Sequence, residues 1–435
     1  MSVQSDQLQP YNYSPLESPN HTRLIYLQPG LTPEIHCEIY HFDIDNLPQS
    51  YHALSYVWGT DYGSDVVICD GDRSIPITSN LKAALLQFRQ QERVVEIWVD
   101  AIAINQNDNR EREQQVQLMG QIYGRAYRVD IWLGEEDELT KPAFASLHLI
   151  VQIMDEVGLN YLDDDAVGVL ASSSEKFPSP ASPEMEGILN LFQRTWFDRA
   201  WTFQESVLAR IKHIYCGSSH IDAIRMGKIC QMLYTLGKTR GTIGSGNKYV
   251  SATTYIRVVP CLLWAMAHRM SDDFETYQLL NLLEARPDAE ASLARDHIYS
   301  LLAVATDIQH ERLIPNYSES VTDEDVFVDF AHFSIRNRGD LRILRSVDVA
   351  PGSSSFPSWV PDWGRRSRTY SPLSRVEINQ YIATGTSQPG ATQGINIRHL
   401  HAQGLDCGKI IVLTVTLLEE NMHMCQDDNA WSHIV

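Results

Sequence analysis

The hydrophobic positions of the chain change period several times, and each change marks an element. Ile97-Trp98-Val99 is apolar without interruption up to Asp100, and Val129-Asp130-Ile131-Trp132-Leu133 is a second run that stops at Gly134. Between them Val116, Met119, Tyr123 and Ala126 recur at helical spacing, which predicts a helix with one buried face. Strand, helix, strand is a βαβ unit, and its crossover predicts two strands that are parallel and adjacent. The turn Asn105-Gln106-Asn107-Asp108 offers an N-cap, and Asp108 and Glu111 stand at capping-box spacing. Glu111 and Glu113 also place negative charge at the positive end of the helix dipole.

Upstream, Tyr51-His52-Ala53-Leu54-Ser55-Tyr56-Val57-Trp58-Gly59 is rich in strand formers and ends at a glycine before a polar turn. Thr22–Leu27 and Ile35–Phe42 read as strands, Asp70-Gly71 as a hairpin turn, and Ser79-Asn80 as the cap of a helix carrying Leu81, Ala84, Leu85 and Phe88. Downstream, residues 139–158 are helical in pattern, and residues 163–187 are acidic, Ser-rich and Pro-rich, a loop or flexible insertion. Ile188–Leu208 reads as a buried helix pair or a helix with a short break, and Ile211–Tyr215 as a strand ended by Cys216-Gly217. Beyond 218 the pattern is mostly helical, with a Gly/Ser/Lys loop at 236–249 and helices at 252–270, 273–285, 296–302 and 321–337. Pro357-Ser358-Trp359-Val360-Pro361-Asp362-Trp363 is too Pro-rich for a regular element and predicts a lid or brace; past 365 only Ile410–Val415 resembles a strand. The organisation expected is an N-terminal extension (1–45), an α/β domain (46–217), a mostly helical region (218–365) and a weakly ordered C-terminal segment (366–435).

Charge narrows the partners. Lys plus Arg is 35 against 55 Asp plus Glu, a net charge of −20, which argues against nucleic acid and against anionic membrane surfaces. No apolar stretch approaches the roughly 20 residues of a bilayer span, and the N-terminus lacks signal-peptide features. The seven cysteines are scattered and include no CxxC pair, so reduced thiols and a cytoplasmic location are expected. No metal is expected: His423 and Cys425 lack partners at zinc spacing. Gly237-Lys238-Thr239 has Met232 where a phosphate loop needs glycine, and no GxSxG elbow occurs.

Chemistry is therefore sought where the apolar strands end, the place where open α/β sheets bind ligands. Asp100 there is either a ribose contact or a turn acceptor, and Asn105 and Gln106 either ligand contacts or turn formers. Tyr56 and Trp58 are either core or site. Glu205 is either a catalytic carboxylate or the acid of a buried ion pair with Arg194 or Arg199.

Three blocks resemble the heterokaryon-incompatibility (HET) domain of filamentous fungi. They are Tyr51–Gly59; Trp98–Gln106 leading through Glu111, Gln115, Met119 and Tyr123 into Trp132-Leu133-Gly134; and Arg194-x-Trp196-Phe197-x-Arg199-Ala200-Trp201-Thr202-Phe203-Gln204-Glu205. Arg295-Asp296-His297-Ile298-Tyr299, Pro315-Asn316-Tyr317 and Pro357–Trp363 are similar to later parts of longer HET proteins. Two departures accompany the match: Ala103 stands where the family usually has Cys, and many relatives continue beyond the segment matching residues 400–410, so a shortened C-terminus is expected.

The HET domain is in turn distantly similar to TIR domains, which implies a TIR/flavodoxin-like parallel sheet flanked by helices. Ala53-Leu54-Ser55-Tyr56 resembles the TIR first strand, and Trp201-x-x-x-Glu205 resembles the Trp-Cys-x-x-Glu of TIR enzymes that cleave NAD. The resemblance implies Glu205 as catalytic carboxylate, with Tyr56, Trp58, Asp100, Asn105, Arg199 and Trp201 as substrate contacts; Arg199 would meet a phosphate. NAD is then a substrate, with no resident cofactor. It also implies non-self recognition ending in programmed cell death, and a partner that is either a second copy or another incompatibility protein. The alternative is a non-catalytic signalling or assembly module acting through protein–protein contact.

Overall fold

A computed structural model describes residues 8–61, 63–156, 178–179, 181–239, 258–259, 261–263, 277–286, 288–308, 313–338, 342–347, 357 and 359–364. Its strands are β1 (Gln9–Pro10), β2 (His21–Leu27), β3 (Ile35–Asp43), β4 (His52–Tyr56), β5 (Val66–Cys69), β6 (Arg73–Pro76), β7 (Val95–Trp98), β8 (Arg128–Trp132), β9 (Lys212–Cys216) and β10 (Ser219–Asp222). All belong to one sheet in the order β1-β6-β5-β3-β2-β7-β4-β8-β9-β10. β7, β4, β8 and β9 are mutually parallel. In chain order these four run second, first, third, fourth, the flavodoxin-like winding. The fold is α/β as expected, with the four parallel strands contiguous toward one side of a mixed sheet. β2 pairs antiparallel with both β7 and β3, so the N-terminal stretch contributes strands to the same sheet.

The strands of the βαβ unit, β7 and β8, are parallel but not adjacent. β4 lies between them, with His52 opposite Ile97 on one side and Ser55 opposite Ile131 on the other. The crossover rule sets direction and hand, and leaves room for an intervening strand. Ala53, Leu54 and Ser55 are all fully buried, and a strand covered on both faces belongs in the middle of a sheet.

The helices are α1 (Ser79–Phe88), α2 (Asp100–Ala103), α3 (Asn109–Arg125), α4 (Thr140–Glu156), α5 (Pro183–Phe192), α6 (Ala200–Val207), α7 (Ala223–Thr239), α8 (Leu279–Glu284), α9 (Asp296–Tyr299) and α10 (Asp323–Arg338). α1 is capped by Thr78, one residue earlier than expected. α5 starts at Pro183 under a Ser182 cap, inside the stretch expected to remain a loop to 187; residues 157–177 lie outside the described part. The aromatic stretch forms α5, a 3-10 turn at Thr195–Asp198, and α6, with Trp196, Phe197 and Phe203 buried. Trp359 packs edge-on to His332, and Trp363 on Phe330, both on α10, so the Pro-rich segment acts as a brace. Among the described residues no helix is long and apolar enough to cross a membrane. Gly237-Lys238-Thr239 continues α7 rather than forming a phosphate loop. The readings for residues 240–257, 264–276 and 365–435, His423 and Cys425 among them, fall outside the described residues.

Candidate functional site

Side chains converge where β4 and β7 end. After Tyr56 the chain turns through Trp58 to Gly59, whose φ of 76° favours glycine. After Trp98 it enters α2 at Asp100. The two carboxyl ends open on a cavity of about 700 Å³. Trp58, Asp100, Arg199, Trp201 and Glu205 line its inner part, and Glu290, Leu293, Asp296 and Tyr317 of the helical region close it.

Glu205 stands on the buried side of α6, 5% exposed. The Ser55 hydroxyl of β4 donates to Glu205 Oε2 at 2.5 Å, and Trp196 Nε1 donates to Ser55 Oγ at 2.8 Å. This relay fixes the carboxyl against the end of β4. Burial, reinforced by the nearby Asp100 carboxylate, pushes its pKa up to about 7, against the opposing effects of the Ser55 hydrogen bond and the Arg199 charge. Asp100 is held as closely: Trp58 Nε1 donates to Oδ2 at 2.7 Å, the Ala101 amide to Oδ1 at 2.7 Å, and the Tyr56 hydroxyl also bonds to it. Burial raises its pKa too, with Arg199 acting against the rise. Both carboxyls thus sit in one desolvated site that favours the protonated form of each.

Arg199 Nη1 donates to the Tyr56 carbonyl at 3.1 Å, and its charge faces both acids. Arg194 is elsewhere, paired with Asp137 at 3.0 Å. Among the described residues neither arginine makes an ion pair with Glu205, which faces Ser55 and the cavity instead. Trp201 lines the cavity while its indole bonds to Asp296. Tyr56 is 4% exposed and does not line this cavity; with Trp58 it lines a second one, of about 320 Å³.

Asn105 does not line the cavity. Its amide donates to Glu111 Oε1 at 2.6 Å, and its side-chain oxygen accepts from the Asn107 amide, so it shapes the turn. Glu111 is likewise not the second half of a capping box. Asp108 caps α3 as expected, but the Glu111 carboxylate is claimed by Arg23 of β2 in a two-pronged ion pair at 2.6 and 3.0 Å. Ala103 is fully buried, and its carbonyl also accepts from Arg23.

Sequence reasoning missed the outer wall. Arg286 is 9% exposed and donates to the carbonyls of Phe197, Arg199 and Ala200, pinning the helical region to the start of α6. Glu290 exchanges backbone hydrogen bonds with Asp198 and Ala200. The signal available was the pair of later blocks around Asp296 and Tyr317, which meet through a 2.7 Å hydrogen bond. Among the described residues no group of His, Cys, Asp and Glu is arranged to hold a metal ion.

Residues 51–205 match the family model "Heterokaryon incompatibility protein (HET)". The chain is similar to Heterokaryon incompatibility protein 6, OR allele, of Neurospora crassa: 27% identity over 420 residues, covering 85% of this chain and 62% of that protein. It thus spans about three fifths of the length of that curated relative. No solved structure matches the chain. The matched segment opens on Tyr51, beside β4, and closes on Glu205, so the part of the chain that is similar to the heterokaryon-incompatibility family holds the whole inner part of the cavity.

Proposed function

We propose that the protein acts in heterokaryon incompatibility, as a non-self recognition and cell-death protein whose HET domain cleaves NAD at the nicotinamide–ribose bond. The observation that carries this reading is the placement of Glu205 with Asp100 and Trp58 in one cavity at the carboxyl ends of β4 and β7. The TIR-like spacing of Trp201 and Glu205 supports it.

In this reading the C–N glycosidic bond breaks and its electron pair leaves with nicotinamide, which departs as a neutral molecule and needs no general acid. The ribose becomes oxocarbenium-like, and the ionised Glu205 stabilises that charge. Water then adds its oxygen to the anomeric carbon and releases a proton, giving ADP-ribose. Trp58 and Trp201 supply flat apolar faces for the pyridinium ring. Because Glu205 acts ionised and its pKa is about 7, turnover at subsaturating NAD rises with pH through that value.

The test is NAD consumption and nicotinamide release by the protein, dilute and artificially clustered, with Glu205→Gln alongside. Clustering stands in for the partner, a second copy or another incompatibility protein. Turnover that appears on clustering and drops at least a hundredfold in the variant establishes the enzyme. Absence of turnover in both states, with an equally folded variant, leaves an assembly module acting through protein–protein contact.

A further inference from the structure

A third cavity, of about 390 Å³, borders the one that holds Glu205, and Arg112, Leu293 and Tyr317 line both. Arg112 therefore stands on the ridge between them. Its guanidinium lies 4.9 Å from the centre of the Tyr317 ring and donates to Asn109 Oδ1 at 3.2 Å. Among the described residues it makes no ion pair; the Asp296 carboxylate feels its charge. Two other arginines line the cavities: Arg199 also makes no ion pair among the described residues but stands at the inner end, and Arg295 is ion-paired. Arg199 is tied to the Tyr56 carbonyl and faces Asp100 and Glu205. Arg295 is paired with Asp323 at 2.6 Å and donates to the Asn316 carbonyl at 3.0 Å.

The lining of the double cavity is rich in acids throughout, with Asp100 and Glu205 at the inner end, Glu290 and Asp296 on the wall and Glu319 and Asp323 in the smaller cavity, so an anionic group could be held only where an arginine stands. Its inner end holds two carboxyls and flat aromatic faces, suited to a cationic ring. Its outer ridge carries a guanidinium with donors to spare, suited to a phosphate oxygen pair. Arg112, Val116 and Met119 occupy one face of α3 along the wall, so Arg112 sits about 10 Å along the helix from Met119.

We propose that Arg112 is the phosphate-binding residue of this site. The ligand class is a nucleotide with a cationic N-glycosidic base at one end and a phosphate at the other, reaching from Glu205 across the ridge. This rests on the NAD-cleaving reading for the identity of the base, and moves the phosphate contact from Arg199 to Arg112.

The experiment measures equilibrium binding of NAD, nicotinamide mononucleotide and nicotinamide riboside to the full chain carrying Glu205→Gln, with and without Arg112→Gln. The riboside has the same cationic base and lacks the phosphate. Arg112→Gln is expected to weaken NAD and the mononucleotide at least tenfold and the riboside less than twofold, with Arg112→Lys recovering part of the loss. Equal weakening of all three ligands, no weakening, or no binding of any ligand overturns the assignment. The two readings fail separately. A native chain that never cleaves NAD, while the phosphate-selective loss persists, removes the hydrolase reading and leaves the site. Cleavage of NAD with equal losses for mononucleotide and riboside does the reverse.

Discussion

Glu205 lies where its surroundings favour the proton, and that has a consequence for stability independent of catalysis. In the unfolded chain its pKa returns to the ordinary value near 4.5, against about 7 when folded. Between these values the folded state holds more protons than the unfolded state, so stability falls as pH rises through the window. The loss is complete above about pH 7 and amounts to on the order of 3 kcal/mol. Asp100, raised by the same burial, acts in the same direction. Glu205→Gln keeps the side-chain shape and an acceptor for Ser55 and removes the ionisation. The variant is expected to be more stable than the native chain at pH 8, by about 2–3 kcal/mol, and no more stable at pH 4.5. Urea midpoints across that range check this; parallel pH profiles for the two proteins would show that Glu205 is not the group responsible.

The loop between β7 and α3 shows which local features a sequence can and cannot disclose. The β4, β7 and β8 runs and the buried face of α3 were legible because apolar spacing is a local property. The partner of Glu111 was not, since Arg23 lies 88 positions away and no spacing rule connects them. Long separation along the chain also hid the antiparallel pairing of β2 with β7, and the insertion of β4 between the two strands of the βαβ unit. Asn105, near a strand end, was open to either reading, as ligand contact or turn former, and its amide bonds to Glu111 within the turn. That ion pair is buried on both sides, and it anchors the Asn105 amide and, through Arg23, the Ala103 carbonyl. Glu111→Ala is expected to cost about 3–5 kcal/mol, because it leaves a guanidinium buried without its carboxylate. Arg23→Met combined with Glu111→Leu should recover most of the loss by replacing the pair with apolar volume. Chemical denaturation of the single and double variants measures both. A single variant within 1 kcal/mol of the native chain would mean that the pair does not hold the loop.

On the scale of the whole molecule, the cavity belongs to two regions at once, and the Arg286 contact decides how firmly they close. One side chain from the helical region satisfies three carbonyls at the head of α6 and lies 4.9 Å from the centre of the Phe203 ring. Five residues before Glu205, the Ala200 amide donates to the Glu290 carbonyl at 2.8 Å. The wall carrying Glu290 and Asp296 is therefore registered against the same helix that carries the acid. Removing the guanidinium leaves buried carbonyls without donors, each a penalty of about 1–3 kcal/mol. Arg286→Ala is expected to lower stability by about 3–5 kcal/mol and to speed hydrogen exchange at the Ala200 amide by at least tenfold. Arg286→Lys should recover only part of this, since an ammonium is a point donor and cannot span carbonyls as a planar fork does. If the wall completes the ligand site, nucleotide binding falls in step with the exchange protection along the series Arg, Lys, Ala. Exchange that accelerates while binding holds would instead place the whole of the site on the α/β side, with the helical region serving only to cover it.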